Sequence, residues 1–196
     1  MVESTNSSAY VYVTYMFIEP NKLALKMQGM PMNKPTPINL ASHAYWNLGS
    51  HNNGDTLSHK IQIFGSHITS VNDKLIPTGE ISPVNGTAYD FSRIKEISNG
   101  YDINNVIDHL SKVALVQDGK SGRKMELWSD QPGLQFYTSN MLENVVGKRG
   151  FVYKNYVALS LESLGFPDPV NHPNFPSQTV NPGEVYKHIM VYMIPI

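Results

Sequence analysis

The sequence predicts an all-β protein, and three observations carry that reading. Short runs rich in β-branched and aromatic residues recur along the chain, turn-forming residues separate them at close intervals, and no segment keeps a long helical period. Its 13 prolines and 14 glycines are spread through the 196 residues without forming a linker or a repeat. An apolar fraction of 41% is enough for a sizeable core at this length. The expected architecture is one domain over residues 1–196, a β-sandwich with long loops.

Residues 10–19 (YVYVTYMFIE) are apolar on both alternating faces apart from Thr14, which suits a strand covered on both sides. After a Pro20-Asn21 turn, residues 22–28 place Leu23, Leu25 and Met27 on one face and Lys22, Lys26 and Gln28 on the other, so the two segments read as a hairpin. Further strands are expected at 59–64, 112–117, 124–129, 134–139, 156–162 and 185–194. The clearest hairpin joins KVALVQ to RKMELWS, because Asp118, Gly119, Ser121 and Gly122 supply tight-turn chemistry between two strand-like runs.

Charge excludes several function classes. With Lys+Arg 15 against Asp+Glu 16 the net charge is -1, and nothing recruits nucleic acid or an anionic membrane. The absence of cysteine removes disulfides, thiolate nucleophiles and cysteine-type zinc sites. No His/Asp/Glu spacing resembles a metal site, so no metal and no cofactor are expected. Residues 1–8 are polar and lack the basic-then-apolar order of a secretory signal, which makes a soluble cytoplasmic protein the plain expectation.

Three segments could carry chemistry. In NLASHAYWNL (39–48) a histidine sits in a strand-like run with aromatics, and His43 reads either as an acid or base, since imidazole titrates near neutrality, or as a core histidine satisfied by hydrogen bonds. In GYDIN (100–104) Asp102 follows a glycine and an aromatic ring; carboxylates accept hydroxyl hydrogen bonds and aromatic faces pack on sugar C–H surfaces, although a turn aspartate is the plainer reading. In YVALSLESLGFPDPVNHPNF (156–175) Glu162 ends an apolar strand, where it either meets desolvation that raises its pKa or emerges into solvent. His172, in the proline-rich loop that follows, reads as an exposed loop histidine.

These segments, in this order, resemble the aldose 1-epimerase (galactose mutarotase) family, especially its plant members. The stretch NLASHAYWNLGSHNNGDTLSHKIQIFGSHITSVNDKLIPTGEISPVNGTAYDF is similar to the family's histidine strand, its following loop and its IPTG turn before DF. GYDIN, SGRKMELWSDQPGLQFYTSNML, LESLGFPDPVNHPNF and VNPGEVYKH then follow in matching order. The resemblance implies a β-sandwich of the galactose mutarotase type and a cofactor-free interconversion of α and β anomers of a free hexose such as galactose or glucose. It implies Glu162 as base on the C1 hydroxyl, His43 as acid on the ring oxygen, and Asp102 as a ligand of sugar hydroxyls, with Tyr45 beside His43 as the other expected sugar contact.

Departures from the family pattern lead to a second expectation. Ala41-Ser42 stand where the family has Thr-Asn, Ser163-Leu164 stand where it has Thr-Gln, and no His-Gly-Gly run occurs. The resemblance therefore covers the family's C-terminal part, without its N-terminal strands, arginine and second histidine. Uncovered apolar faces would need a second copy or a separate N-terminal polypeptide. A sugar-binding or interaction protein derived from a mutarotase, without turnover, is the alternative function.

Overall fold

A computed structural model describes residues 8–108 and 111–195. Two large antiparallel sheets dominate. The seven-stranded sheet runs in the order β1 (Ala9–Glu19), β2 (Lys22–Pro31), β17 (Tyr186–Met193), β11 (Lys124–Ser129), β10 (Lys112–Gln117), β5 (Lys60–Ile63) and β8 (Lys95–Glu96). The six-stranded sheet runs β4 (Tyr45–Trp46), β15 (Leu159–Leu164), β12 (Gly133–Tyr137), β9 (Asp102–Val106), β6 (His67–Val71) and β7 (Pro77–Pro83). Two small two-stranded pairs, β3 (Thr36–Pro37) with β16 (Thr179–Val180) and β13 (Val145–Val146) with β14 (Val152–Tyr153), complete the pairing among the described residues.

The core lies between the two large sheets because side chains alternate along a strand, so each sheet offers one apolar face. Leu25, Met27, Ile61, Ile63, Val116, Met125, Leu127 and Met190 of the first sheet meet Leu134, Phe136, Leu159 and Leu161 of the second. Phe136 stacks on Tyr101 at 5.5 Å and meets Phe91 edge-on at 5.4 Å. Asn105 also points to this face, where its Nδ2 donates to the Leu134 carbonyl at 3.2 Å and so satisfies a buried amide.

Both expected hairpins form. Tyr10 pairs with Met30 and Tyr15 with Leu25 in the first, and Val116 pairs with Met125 in the second. In the second turn Asp118 accepts from the backbone N–H groups of Lys120 and Ser121, and Gly122 takes the left-handed φ of 72° that its position requires.

Four expectations need correction. Strand β1 lies at a sheet edge and is uncovered on both faces, its large apolar side chains ranging from 43% exposed at Met16 to 84% at Phe17. Its pattern of two apolar faces called for cover that the described residues do not supply. Residues 38–44 are not a strand; His43 sits in irregular chain just before the two-residue β4. Glu162 lies inside β15 rather than at its end, because pairing continues to Leu164 opposite Gly133. His172 is half-buried, its ring 5.4 Å from that of Phe175 and its Nε2 3.6 Å from Asp168.

Candidate active site

The six-stranded sheet turns its other face away from the core, and cross-strand register composes it. Glu162 stands opposite Gln135, and Gln135 opposite Asn104. The adjacent row carries Tyr45, Ser160, Tyr137 and Asp102, each opposite the next. Directly opposite residues share a face, so four distant segments of sequence place acids, amides and aromatic rings on one surface.

His43 reaches this surface from the β4 side. Its Nε2 lies 3.2 Å from Glu162 Oε1, with the histidine side chain 51% exposed and the glutamate 12%. The imidazole ring is held 5.0 Å from the ring of Tyr45 and 5.9 Å from that of Tyr137. Although irregular, the segment bearing His43 is firmly tied. Asn39 exchanges two hydrogen bonds with the backbone of Gly165 just beyond β15, at 2.9 and 3.2 Å, and His188 Nδ1 donates to the Leu40 carbonyl at 3.1 Å. The Tyr192 hydroxyl donates to the Leu161 carbonyl at 3.3 Å, and burial pushes this phenol up to about 12 against the opposing pull of the nearby Ser42, the serine that departs from the family pattern.

Electrostatics separate Glu162 from an ordinary surface carboxylate. Burial raises its pKa; His43 and the neighbouring Ser160 pull it back down, while Asp102 pushes it up again. A carboxyl held above its usual range is a stronger base than an ordinary surface glutamate, and here a ring nitrogen lies directly beside it. Burial also raises the Tyr45 phenol, helped by Tyr137, Glu162 and Asp102, so it stays neutral and available for packing and hydrogen bonding.

The structure thus brings His43, Tyr45 and Glu162 together and sets Asp102 on the same face two strands away. Sequence inspection missed Gln135, whose Nε2 donates to Asp102 Oδ1 at 2.7 Å and links the two acids' neighbourhoods. It also missed Tyr137. The alternation of β12 was the available signal, since Leu134 and Phe136 read as core and their neighbours must face the other way. A cavity of about 420 Å³ lies beyond Tyr45, lined by Trp46, His51 and Tyr153 among others, and includes none of His43, Asp102 and Glu162.

Comparison with known proteins agrees with the fold and extends along nearly the whole chain. The family model described as Aldose 1-epimerase matches residues 6–193. The chain is 34% identical over 198 residues to galactose mutarotase of Sus scrofa, an alignment covering 95% of this chain and 57% of that protein. With galactose mutarotase of Homo sapiens it shares 35% identity over 190 residues, 91% of this chain and 55% of the other. The chain therefore spans little more than half the length of these relatives. A crystal structure of a GalM/aldose epimerase homologue from C. elegans superposes with a TM-score of 0.88 at 28% identity, over 95% of this chain and 60% of that one. Galactose 1-epimerase from Lactobacillus acidophilus shares the fold with a TM-score of 0.82 at 20% identity. With a family match over 188 residues, from 6 to 193, this chain belongs to the aldose 1-epimerase family.

Proposed function

We propose that the chain carries the acid and base of an anomer-interconverting site for free hexoses such as galactose and glucose. The observation that carries this reading is the contact between His43 Nε2 and Glu162 Oε1 at 3.2 Å, with the glutamate partly buried and its pKa raised. Glu162 takes the proton of the C1 hydroxyl, the C1–O bond to the ring oxygen breaks as the C1 carbonyl forms, and His43 protonates that oxygen. Rotation about C1–C2 and closure with the roles reversed give the other anomer. Concerted removal and donation avoid a full charge on the sugar, and each positioned group typically contributes roughly 10²- to 10⁴-fold. Asp102, oriented by Gln135, holds ring hydroxyls while C1 turns over, and Tyr45 packs on the sugar's C–H face. The chemistry proceeds without a cofactor.

A second reading, sugar binding without turnover, draws on Leu164. It shares the face of Glu162 two residues along β15 and presents no hydrogen-bonding group where the family places an amide. The two readings separate on one experiment. Equilibration of fresh α-D-galactose followed by polarimetry should be faster with the wild-type chain than with buffer, and Glu162→Gln should remove about 10²- to 10⁴-fold of the acceleration. Galactose binding with no acceleration by the folded wild type would reject turnover and leave the binding reading.

A further inference from the structure

The row of side chains that begins at Glu162 does not stop at Gln135. Asn104 stands opposite Gln135, and because Ile68 pairs with Asn105, Thr69 occupies the next place on the same face. Asn104 is 2% exposed and Thr69 0%, yet neither atom of the Asn104 amide, nor the Thr69 hydroxyl, has a hydrogen-bond partner among the described residues. Leaving such a group unsatisfied carries the full penalty of its desolvation. Two side by side therefore point to a ligand group that completes them.

They line a cavity of about 160 Å³, with Asp102, Gln135, Val71, Leu75, Pro77 and Pro167 also on its wall. The cavity is built rather than incidental. Gly133 leaves the space the Asn104 amide occupies, since a Cβ there would stand 3.0 Å from Nδ2 and 3.1 Å from Oδ1. Pro167 is carried by a loop clamped onto β7, where Asn174 Nδ2 donates to the Gly79 carbonyl at 2.7 Å and the His172 ring lies where a Cβ on Gly79 would be, 2.6 Å from Nδ1.

The complement of this lining is a neutral group that donates and accepts hydrogen bonds and ends in a small apolar body. Its place on a substrate follows from the proposed function, on which this inference rests. With the hemiacetal carbon at Glu162 and the ring oxygen at His43, C2 lies on the side of C1 away from His43, towards Gln135 and Asn104. Asn104 is two strand spacings from Glu162, roughly 10 Å. A bare C2 hydroxyl stops short of it, whereas an acetamido arm extends further, offering an N–H to Asn104 Oδ1, a carbonyl to Asn104 Nδ2 or Thr69, and a methyl to Val71, Leu75 and Pro167. We propose that Asn104 and Thr69 form a subsite for the C2 substituent, and that the site takes 2-acetamido-2-deoxyhexoses in preference to the parent hexoses.

Calorimetric titration of the chain with N-acetyl-D-galactosamine and with D-galactose tests this. The wild type should bind the acetamido sugar about tenfold more tightly, the worth of one or two completed buried hydrogen bonds. Asn104→Leu and Thr69→Val should each bring the ratio towards one; the threonine change is nearly isosteric and preserves the test should the buried leucine impair folding. A ratio near one in the wild type, a ratio unchanged in both variants, or equal loss of both sugars would overturn the subsite. Polarimetry keeps the two ideas apart: accelerated galactose equilibration with no preference for the acetamido sugar overturns the subsite alone, and binding of neither sugar overturns it together with the proposed function.

Discussion

Strands β1 and β15 are both apolar runs, AYVYVTYMFIE and LSLESL, and the fold uses them in opposite ways. Strand β15 lies within its sheet, so that Leu159 and Leu161 enter the core while Ser160 and Glu162 face the site. Among the described residues, strand β1 pairs on one edge with β2, and nothing covers its other edge or either face. Apolar alternation specifies that a strand will form; what covers it is decided by chain far away in sequence. A strand within the sheet that carries candidate site residues and an uncovered one therefore look alike in isolation.

That contrast is sharpest where neighbouring residues of one strand serve different ends. Glu162→Gln should have the largest effect, a loss of about 10²- to 10⁴-fold in anomer exchange, while thermal unfolding changes little, because a neutral amide relieves the desolvation of a buried carboxylate. Next to it, Leu161→Ala should cost about 2–5 kcal/mol of stability by leaving a cavity against the opposite sheet, read from denaturant unfolding. Equal destabilisation by both changes would remove the distinction between the two faces of β15.

Acid should separate core from site as well. His188 is fully buried, and burial lowers its pKa; Asp130 and the Leu40 carbonyl only partly offset this. A histidine depressed in the folded state stays neutral there while the unfolded chain takes up a proton below about pH 6.5. Stability should fall as pH drops through that value and level off once the folded-state pKa is passed. His59, depressed by burial and accepting from the Leu48 N–H at 3.2 Å, adds in the same direction. Turnover should also decline towards acid, because Glu162 must be ionised to act as base and its pKa is raised; the fall should therefore lie above the range of an ordinary glutamate. Unfolding midpoints and polarimetric rates measured from pH 8 to pH 4 would resolve the two, and a Glu162→Gln chain should retain the stability loss.

How much of this was legible beforehand follows from range. Strands β10 and β11 and their turn were readable because Asp118 and Gly122 act within six residues of each other. Strand β9 was not, since DINNV has two asparagines and low β-propensity, and its place comes from pairing with β12 and β6. Residue chemistry and then motif resemblance point to His43, Asp102 and Glu162, whereas the surface they share is hidden in the sequence, because it is assembled by register across β15, β12 and β9. Gln135 and Asn104 become visible only once that register is known.

The smallest expected effect falls on β1. Phe17 is 84% exposed, so Phe17→Ser removes almost no buried area and should change the unfolding free energy by no more than about 0.5 kcal/mol. The same substitution should reduce any association of the chain with itself, because it places a polar group on an open, apolar edge strand. Sedimentation and denaturant unfolding at two protein concentrations would read both effects. If Phe17→Ser instead costs as much as a core substitution, and the cost grows with concentration, then β1 is covered in solution by a second copy, and the difference between β1 and β15 is one of partner rather than of burial.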